Sequence, residues 1–116
     1  RHYGSATLAV TRAGAGTLAE LACAGLPAIL LPYPQAVDQH QLANARIFEQ
    51  AGAAVIVEHA AESTVTAERL DKALQSLILD LGRQQTMRAA MRRLARPDAA
   101  RRVADVLLAY VHPKVS

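Results

Sequence analysis

Two short segments of this 116-residue chain hold side chains suited to chemistry on a phosphorylated, hydroxyl-rich ligand. The first is Arg12-Ala13-Gly14-Ala15-Gly16-Thr17, with Glu20 just beyond it. Gly14, Ala15 and Gly16 are small enough for backbone N–H groups to approach a diphosphate closely. A helix opening near Thr17 adds the positive end of its dipole, so the turn is a candidate anion site. It is not a P-loop, because no Gly-Lys-Ser/Thr follows. Nor is it G-x-G-x-x-G, because the third glycine is absent. A tight turn with only a structural purpose would read the same way. Thr17-Leu18-Ala19-Glu20 also matches the S/T-x-x-E capping box that opens helices. Glu20 therefore has two readings: its carboxylate reaches back to the Thr17 backbone, or it accepts hydrogen bonds from a pair of ribose hydroxyls.

The second segment is Asp38-Gln39-His40-Gln41, followed by Asn44. Gln41 and Asn44 are three apart and so share a helix face. Amides both donate and accept, which matches the mixed demands of sugar hydroxyls. Polar residues also open helices as ordinary caps, and the segment alone fits either use. The other histidines, His2, His59 and His112, stand outside both segments and read as surface residues. There is no Asp-x-Asp and no His/Cys cluster, so the sequence implies no metal site and no cofactor. No residue stands out as a catalytic base.

Such segments need a scaffold that brings loops to one edge, and the first half of the chain has the pattern for it. Thr7–Val10, Ala28–Leu31 and Ala53–Val57 are short apolar runs without alternation, the pattern of strands buried on both faces. Between them lie two helical stretches. One opens at Thr17 and stops at Gly25. The other is capped by Asp38, runs to about Gln50 and ends at Gly52. Pro32 and Pro34 keep the intervening loop extended. This βαβαβ order predicts an α/β fold, a Rossmann-like parallel sheet with flanking helices. In such a sheet ligands bind beyond the carboxyl ends of the strands, where both segments fall. The second half is helical. Leu70, Ala73, Leu74, Leu77, Ile78 and Leu81 form one apolar stripe, with Thr64 or Thr66 available as cap. Arg83–Ala95 forms a shorter helix, and Ala100, Val103, Ala104, Leu107, Leu108 and Val111 form a last stripe.

Composition sets outer limits. The chain is 52% hydrophobic and 20% charged, with a net charge of +3. It has no tryptophan and few other aromatics (Phe48, Tyr3, Tyr33 and Tyr110), so the core must be aliphatic. No apolar run approaches the ~20 residues of a membrane-spanning helix. The single cysteine, Cys23, excludes an internal disulfide and fits a reducing, cytoplasmic setting. Arg83, Arg88, Arg92, Arg93, Arg96, Arg101 and Arg102 make a basic run opposed only by Asp98. It reads as a solvated helix surface or as a contact for anionic lipid. No aromatics are interleaved, which argues against nucleic acid as a partner. The opening residues Arg1 to Ala6 carry neither an initiating methionine nor an element of useful length, so the chain is expected to be a fragment.

Together these blocks resemble a known family. Arg12-Ala-Gly-Ala-Gly-Thr-Leu-Ala-Glu-Leu-Ala-Cys-Ala-Gly-Leu-Pro-Ala28 is similar to the donor-site motif of the MurG family, glycosyltransferase family 28. The likeness continues through Pro32-Tyr33-Pro34, Asp38-Gln-His-Gln-Leu-Ala-Asn44-Ala and Glu49-Gln-Ala-Gly-Ala-Ala, and is close from about Thr11 to Val57. The resemblance implies a two-domain GT-B architecture, in which residues 1–116 form part of the C-terminal, UDP-sugar-binding domain and the N-terminal acceptor domain is absent. It implies inverting transfer of N-acetylglucosamine from UDP-N-acetylglucosamine to the C4 hydroxyl of lipid-linked N-acetylmuramyl-pentapeptide, the lipid I to lipid II step of peptidoglycan synthesis. By position, the Gly14, Ala15, Gly16 and Thr17 turn would face the diphosphate and Glu20 the ribose. His40, Gln41 and Asn44 would approach the sugar. Arg12 would either touch the ligand or brace its loop. The resemblance places no catalytic base in the chain. It implies an enzyme on the inner face of the cell membrane, meeting its lipid-linked acceptor through the other domain. The competing expectations are a donor-binding subunit of a different lipid-directed UDP-sugar transferase, and a non-catalytic α/β module.

Overall fold

A computed structural model describes residues 8–95. The expected last helix, together with Arg96, Arg101 and Arg102, lies outside the described residues.

The three apolar runs form a parallel sheet of β1 (Ala9–Thr11), β2 (Ala28–Leu30) and β3 (Ala54–Ile56), in that spatial order. Val10, Ile29 and Val55 stand in register across it. Among the described residues there are four helices: α1 (Ala15–Ala24), α2 (Gln41–Gln50), α3 (Ser63–Ile78) and α4 (Leu81–Leu94). Side chains alternate across a strand, and β2 uses this to join two cores. Ala28 and Leu30 pack with Leu18 and Leu21 of α1, Phe48 of α2 and Met91 of α4. Ile29 points the other way, to Val57, Leu77 of α3 and Met87. The sheet is thus covered on both faces, as the non-alternating strands predict.

Both glycine stops hold. Gly25 (φ +66) and Gly52 (φ +82) take the left-handed conformation beyond α1 and α2. In each case the next residue reaches back to close the helix: Leu26 N–H donates to Leu21 O at 3.3 Å and Ala53 N–H to Phe48 O at 3.0 Å. This is the Schellman arrangement.

The helix starts differ from those read in the sequence. α1 opens two residues before Thr17, on Gly14, whose extended backbone (φ −70, ψ 149) begins the helix without any side-chain cap. Ala15 and Gly16 offer no steric resistance to this extra half-turn, and Leu18 N–H bonds Gly14 O at 3.0 Å. Thr17 is therefore the third helical residue, and the capping box with Glu20 does not form. α2 opens at Gln41 with His40 as its N-cap residue, so Asp38 does not cap the helix directly. Its Oδ1 accepts the His40 N–H at 3.0 Å, closing a turn ahead of the helix. Neither Thr64 nor Thr66 caps α3. Instead the buried Thr66 hydroxyl accepts the Ala60 N–H at 2.9 Å. The long apolar stripe is also cut short. α3 ends at Ile78, because Asp80 caps a new helix by accepting the Arg83 N–H at 3.0 Å. Leu81 then belongs to α4 and is exposed, while Leu70, Ala73, Leu74 and Leu77 face the sheet. Among the described residues, no helix is long and apolar enough to cross a membrane.

Gly25→Ala and Gly16→Ala should move stability in opposite directions. A Cβ at Gly25 meets only the flexible Arg92 side chain, at 3.2 Å, so its cost is the left-handed backbone, about 1–2 kcal/mol. A Cβ at helical Gly16 meets nothing within 4 Å and should raise stability by up to about 1 kcal/mol. Urea-unfolding midpoints read both, and equal effects would contradict the assignment.

Candidate functional site

All three strands run the same way, so the β1–α1, β2–α2 and β3–α3 loops emerge at one edge. The β1–α1 turn leads straight into the open end of α1. With Gly14 as an uncapped N-cap residue, the N–H groups of Ala15, Gly16 and Thr17 have no partner within the helix. Gly16 is exposed, and the space where its Cβ would stand holds nothing within 4 Å. Glu20 lies four residues on, also exposed, and so stands one turn above Gly16 on the solvent side of α1.

α2 enters this edge from the neighbouring strand. Its first residue, Gln41, is buried, and its Oε1 accepts two backbone donors: Ala13 N–H at 3.2 Å and Tyr33 N–H at 3.0 Å. One side-chain oxygen thereby ties the β1–α1 turn to the β2–α2 loop. Because both partners are donors, the amide orientation is fixed, and its nitrogen is left to face Gly14. A Cβ on Gly14 would lie 4.0 Å from that nitrogen. Gln41 thus keeps donors for a ligand, but its acceptor is already engaged. Asn44, one turn further along α2, is only 3% exposed, and its Oδ1 has no hydrogen-bond partner among the described residues. A buried acceptor without a donor is costly, so this atom calls for a hydroxyl or N–H. His40 is half-buried. Its N–H is held by Asp38, and its carbonyl accepts Asn44 N–H at 3.0 Å.

The structure therefore joins Ala13, Tyr33 and Gln41 directly, with Gly14 beside the Gln41 nitrogen, and sets Asn44 on the helix that makes the joint. Glu20 makes no hydrogen bond to Gln41 or Asn44. Gly16, Thr17 and Glu20 share the exposed start of α1 instead. Arg12 braces its loop: Nη1 donates to Leu31 O at 3.2 Å and to the His59 ring, and the guanidinium lies 4.2 Å from the Tyr33 ring centroid. Sequence reasoning left the His59 and Tyr33 contacts out. His59 is exposed, as expected of a surface residue, yet it reaches Arg12 across a separation of 47 residues. Tyr33 stood between two prolines, a signal of an extended loop that holds a ring out over its neighbour. Beside the Arg12 cluster is an open cleft of about 420 Å³ lined by Pro32, Tyr33, Pro34, Leu42, Glu58 and His59, among others. Glu20, Gln41 and Asn44 do not line it.

These features define an open α/β domain in which the edge at the carboxyl ends of the strands combines a bare helix N-terminus with a buried amide pair. The chain belongs to the glycosyltransferase family 28 C-terminal domain family, which it matches over residues 1–103. It is 49% identical over 106 residues to the UDP-N-acetylglucosamine--N-acetylmuramyl-(pentapeptide) pyrophosphoryl-undecaprenol N-acetylglucosamine transferase of Methylococcus capsulatus, covering 91% of this chain and 29% of that protein. The protein of the same name from Alkalilimnicola ehrlichii is 50% identical over 89% of the chain and 28% of its own length. That from Hahella chejuensis is 52% identical over 87% and 27%. The chain thus spans less than a third of the length of these relatives. No solved structure matches it significantly.

The Gln41 bridge makes a stability prediction. Gln41→Leu strands two backbone donors and should cost about 1–3 kcal/mol, whereas Gln41→Glu keeps an acceptor oxygen and should cost less. Chemical denaturation of the two variants decides, and equal losses would mean that the bridge contributes little.

Proposed function

We propose that this chain is the donor-binding portion of an inverting N-acetylglucosaminyltransferase. In this reading it takes UDP-N-acetylglucosamine and delivers the sugar to the C4 hydroxyl of lipid-linked N-acetylmuramyl-pentapeptide. The observation that carries the proposal is the juxtaposition made by Gln41: a bare helix N-terminus and a buried, unsatisfied Asn44 carbonyl oxygen held at one sheet edge. The likeness to the three transferases supports the choice of donor and acceptor.

The diphosphate lies against the backbone N–H groups of Gly14, Ala15, Gly16 and Thr17, where the helix dipole favours negative charge. Glu20, freed from any capping duty, accepts the ribose hydroxyls. The Gln41 amide nitrogen donates to the sugar, Asn44 Oδ1 accepts from a sugar hydroxyl, and His40 borders the same position. Arg12 acts on the loop rather than on the ligand. In the reaction the acceptor C4 oxygen attacks the anomeric carbon while the bond to the diphosphate oxygen breaks. UDP departs with the electron pair, and a base on the acceptor-binding domain takes the hydroxyl proton. The contribution of this chain is to stabilise the charge that builds on the leaving diphosphate. The lipid-linked acceptor places the enzyme at the cytoplasmic membrane surface as a peripheral protein, with no role for nucleic acid.

Glu20→Ala tests the reading directly. Glu20 is exposed and caps nothing, so unfolding free energy should stay within about 0.5 kcal/mol of the parent. Affinity of the full-length protein for UDP-N-acetylglucosamine should fall about tenfold or more, the value of losing a charge-assisted pair of bonds. Unchanged affinity by calorimetric titration would remove Glu20 from the site.

A further inference from the structure

The three contacts of Arg12 bear on the turn that follows it. The guanidinium reaches Leu31 O behind β2, the Tyr33 ring in the β2–α2 loop and the His59 ring beyond β3. Its own backbone runs directly into Ala13, whose N–H is held by Gln41, and Gly14, where α1 begins. Arg12 therefore links all three strand ends from just ahead of the proposed diphosphate turn. Arginine stays protonated and has only donors, so Nε2 of His59 must be the acceptor, which requires a neutral imidazole.

We propose that His59 is a positioning residue for the β1–α1 turn: the His59 ring accepts from Arg12, Arg12 holds the turn, and loss of that acceptor loosens the turn and weakens binding of the nucleoside-diphosphate sugar. The proposal rests on the donor-site reading above. The other charged groups near His59 are engaged elsewhere. The carboxylate of the adjacent Glu58 lies 3.8 Å from Arg46 of α2, and Arg69 of α3 donates to the Glu58 carbonyl at 3.2 Å. Tyr33, the other titratable neighbour, presents its ring to Arg12. The contact is exposed and solvent-screened, so its effect is modest.

The test uses the full-length protein and UDP-N-acetylglucosamine. Calorimetric affinities are measured for the parent, His59→Gln and His59→Leu. Hydrogen exchange of the 12–17 segment in ligand-free protein is read alongside. Glutamine keeps an acceptor, so His59→Gln should match the parent. His59→Leu should bind about two- to fivefold more weakly, the range of an exposed charged contact, with faster exchange across 12–17. Parent-like affinity and exchange in His59→Leu, or equal losses in the two variants, overturns the proposal. If the parent fails to bind the nucleotide sugar, the donor-site reading falls. Exchange across 12–17 still decides the role of His59, since unchanged protection in His59→Leu refutes it.

Discussion

The geometry of the candidate site depends on one buried oxygen. Gln41 Oε1 accepts the N–H groups of Ala13 and Tyr33, which belong to loops leaving two different strands. Parallel strands can bring such loops to the same edge, but the sheet ladder ends at Thr11 and Leu30 and leaves the loop backbones to find partners elsewhere. A buried backbone N–H must be paired. Meeting that requirement with a side chain at the first position of α2 fixes three things together: the path of the β1–α1 turn, the path of the β2–α2 loop and the point where α2 enters. The bare start of α1 and the polar face of α2 are neighbours as a consequence.

This arrangement divides the proposed work between two helices. α1 offers backbone donors and a dipole, which suit charge without demanding any particular side chain. That is why Gly14, Ala15 and Gly16 serve by being small. α2 offers side chains, and its first turn is where shape and hydroxyl pattern can be discriminated. Asn44 Oδ1 is the buried side-chain polar atom that finds no donor among the described residues. A ligand hydroxyl would relieve that cost, so in the proposed site part of the binding preference is held as an unmet bond. Arg12 adds a third layer by fixing the turn from behind, through the ends of β2 and β3.

Much of the fold is legible in the sequence because its signals are strong and local. Three apolar runs without alternation, Gly25 and Gly52, and the prolines of the second loop sufficed to place the strands, the ends of α1 and α2 and the edge where both segments lie. Helix starts were less legible. Thr17 and Glu20 fit a capping box by spacing, but small residues ahead of them allowed the helix to begin earlier, on Gly14. The Leu70-to-Leu81 stripe kept its period through a real break, because Asp80 stops one helix and caps the next without disturbing the count of apolar residues. The site was legible as a set of residue types and illegible as a set of bonds. Spacing put Gln41 and Asn44 on one face, yet nothing local shows that the Gln41 oxygen is already engaged while that of Asn44 is not. The grip of His59 on Arg12 spans 47 residues and has no sequence signature at all.

The central claim is that one ligand touches the start of α1 and the polar face of α2 together. The most direct measurement is nitrogen-resolved NMR of the labelled full-length protein during titration with UDP-N-acetylglucosamine. The backbone amides of Ala15, Gly16 and Thr17 and the side-chain amide of Asn44 should shift in concert and saturate at one ligand concentration. Saturable binding that leaves these resonances in place, or moves the α1 and α2 groups at different concentrations, would contradict the account.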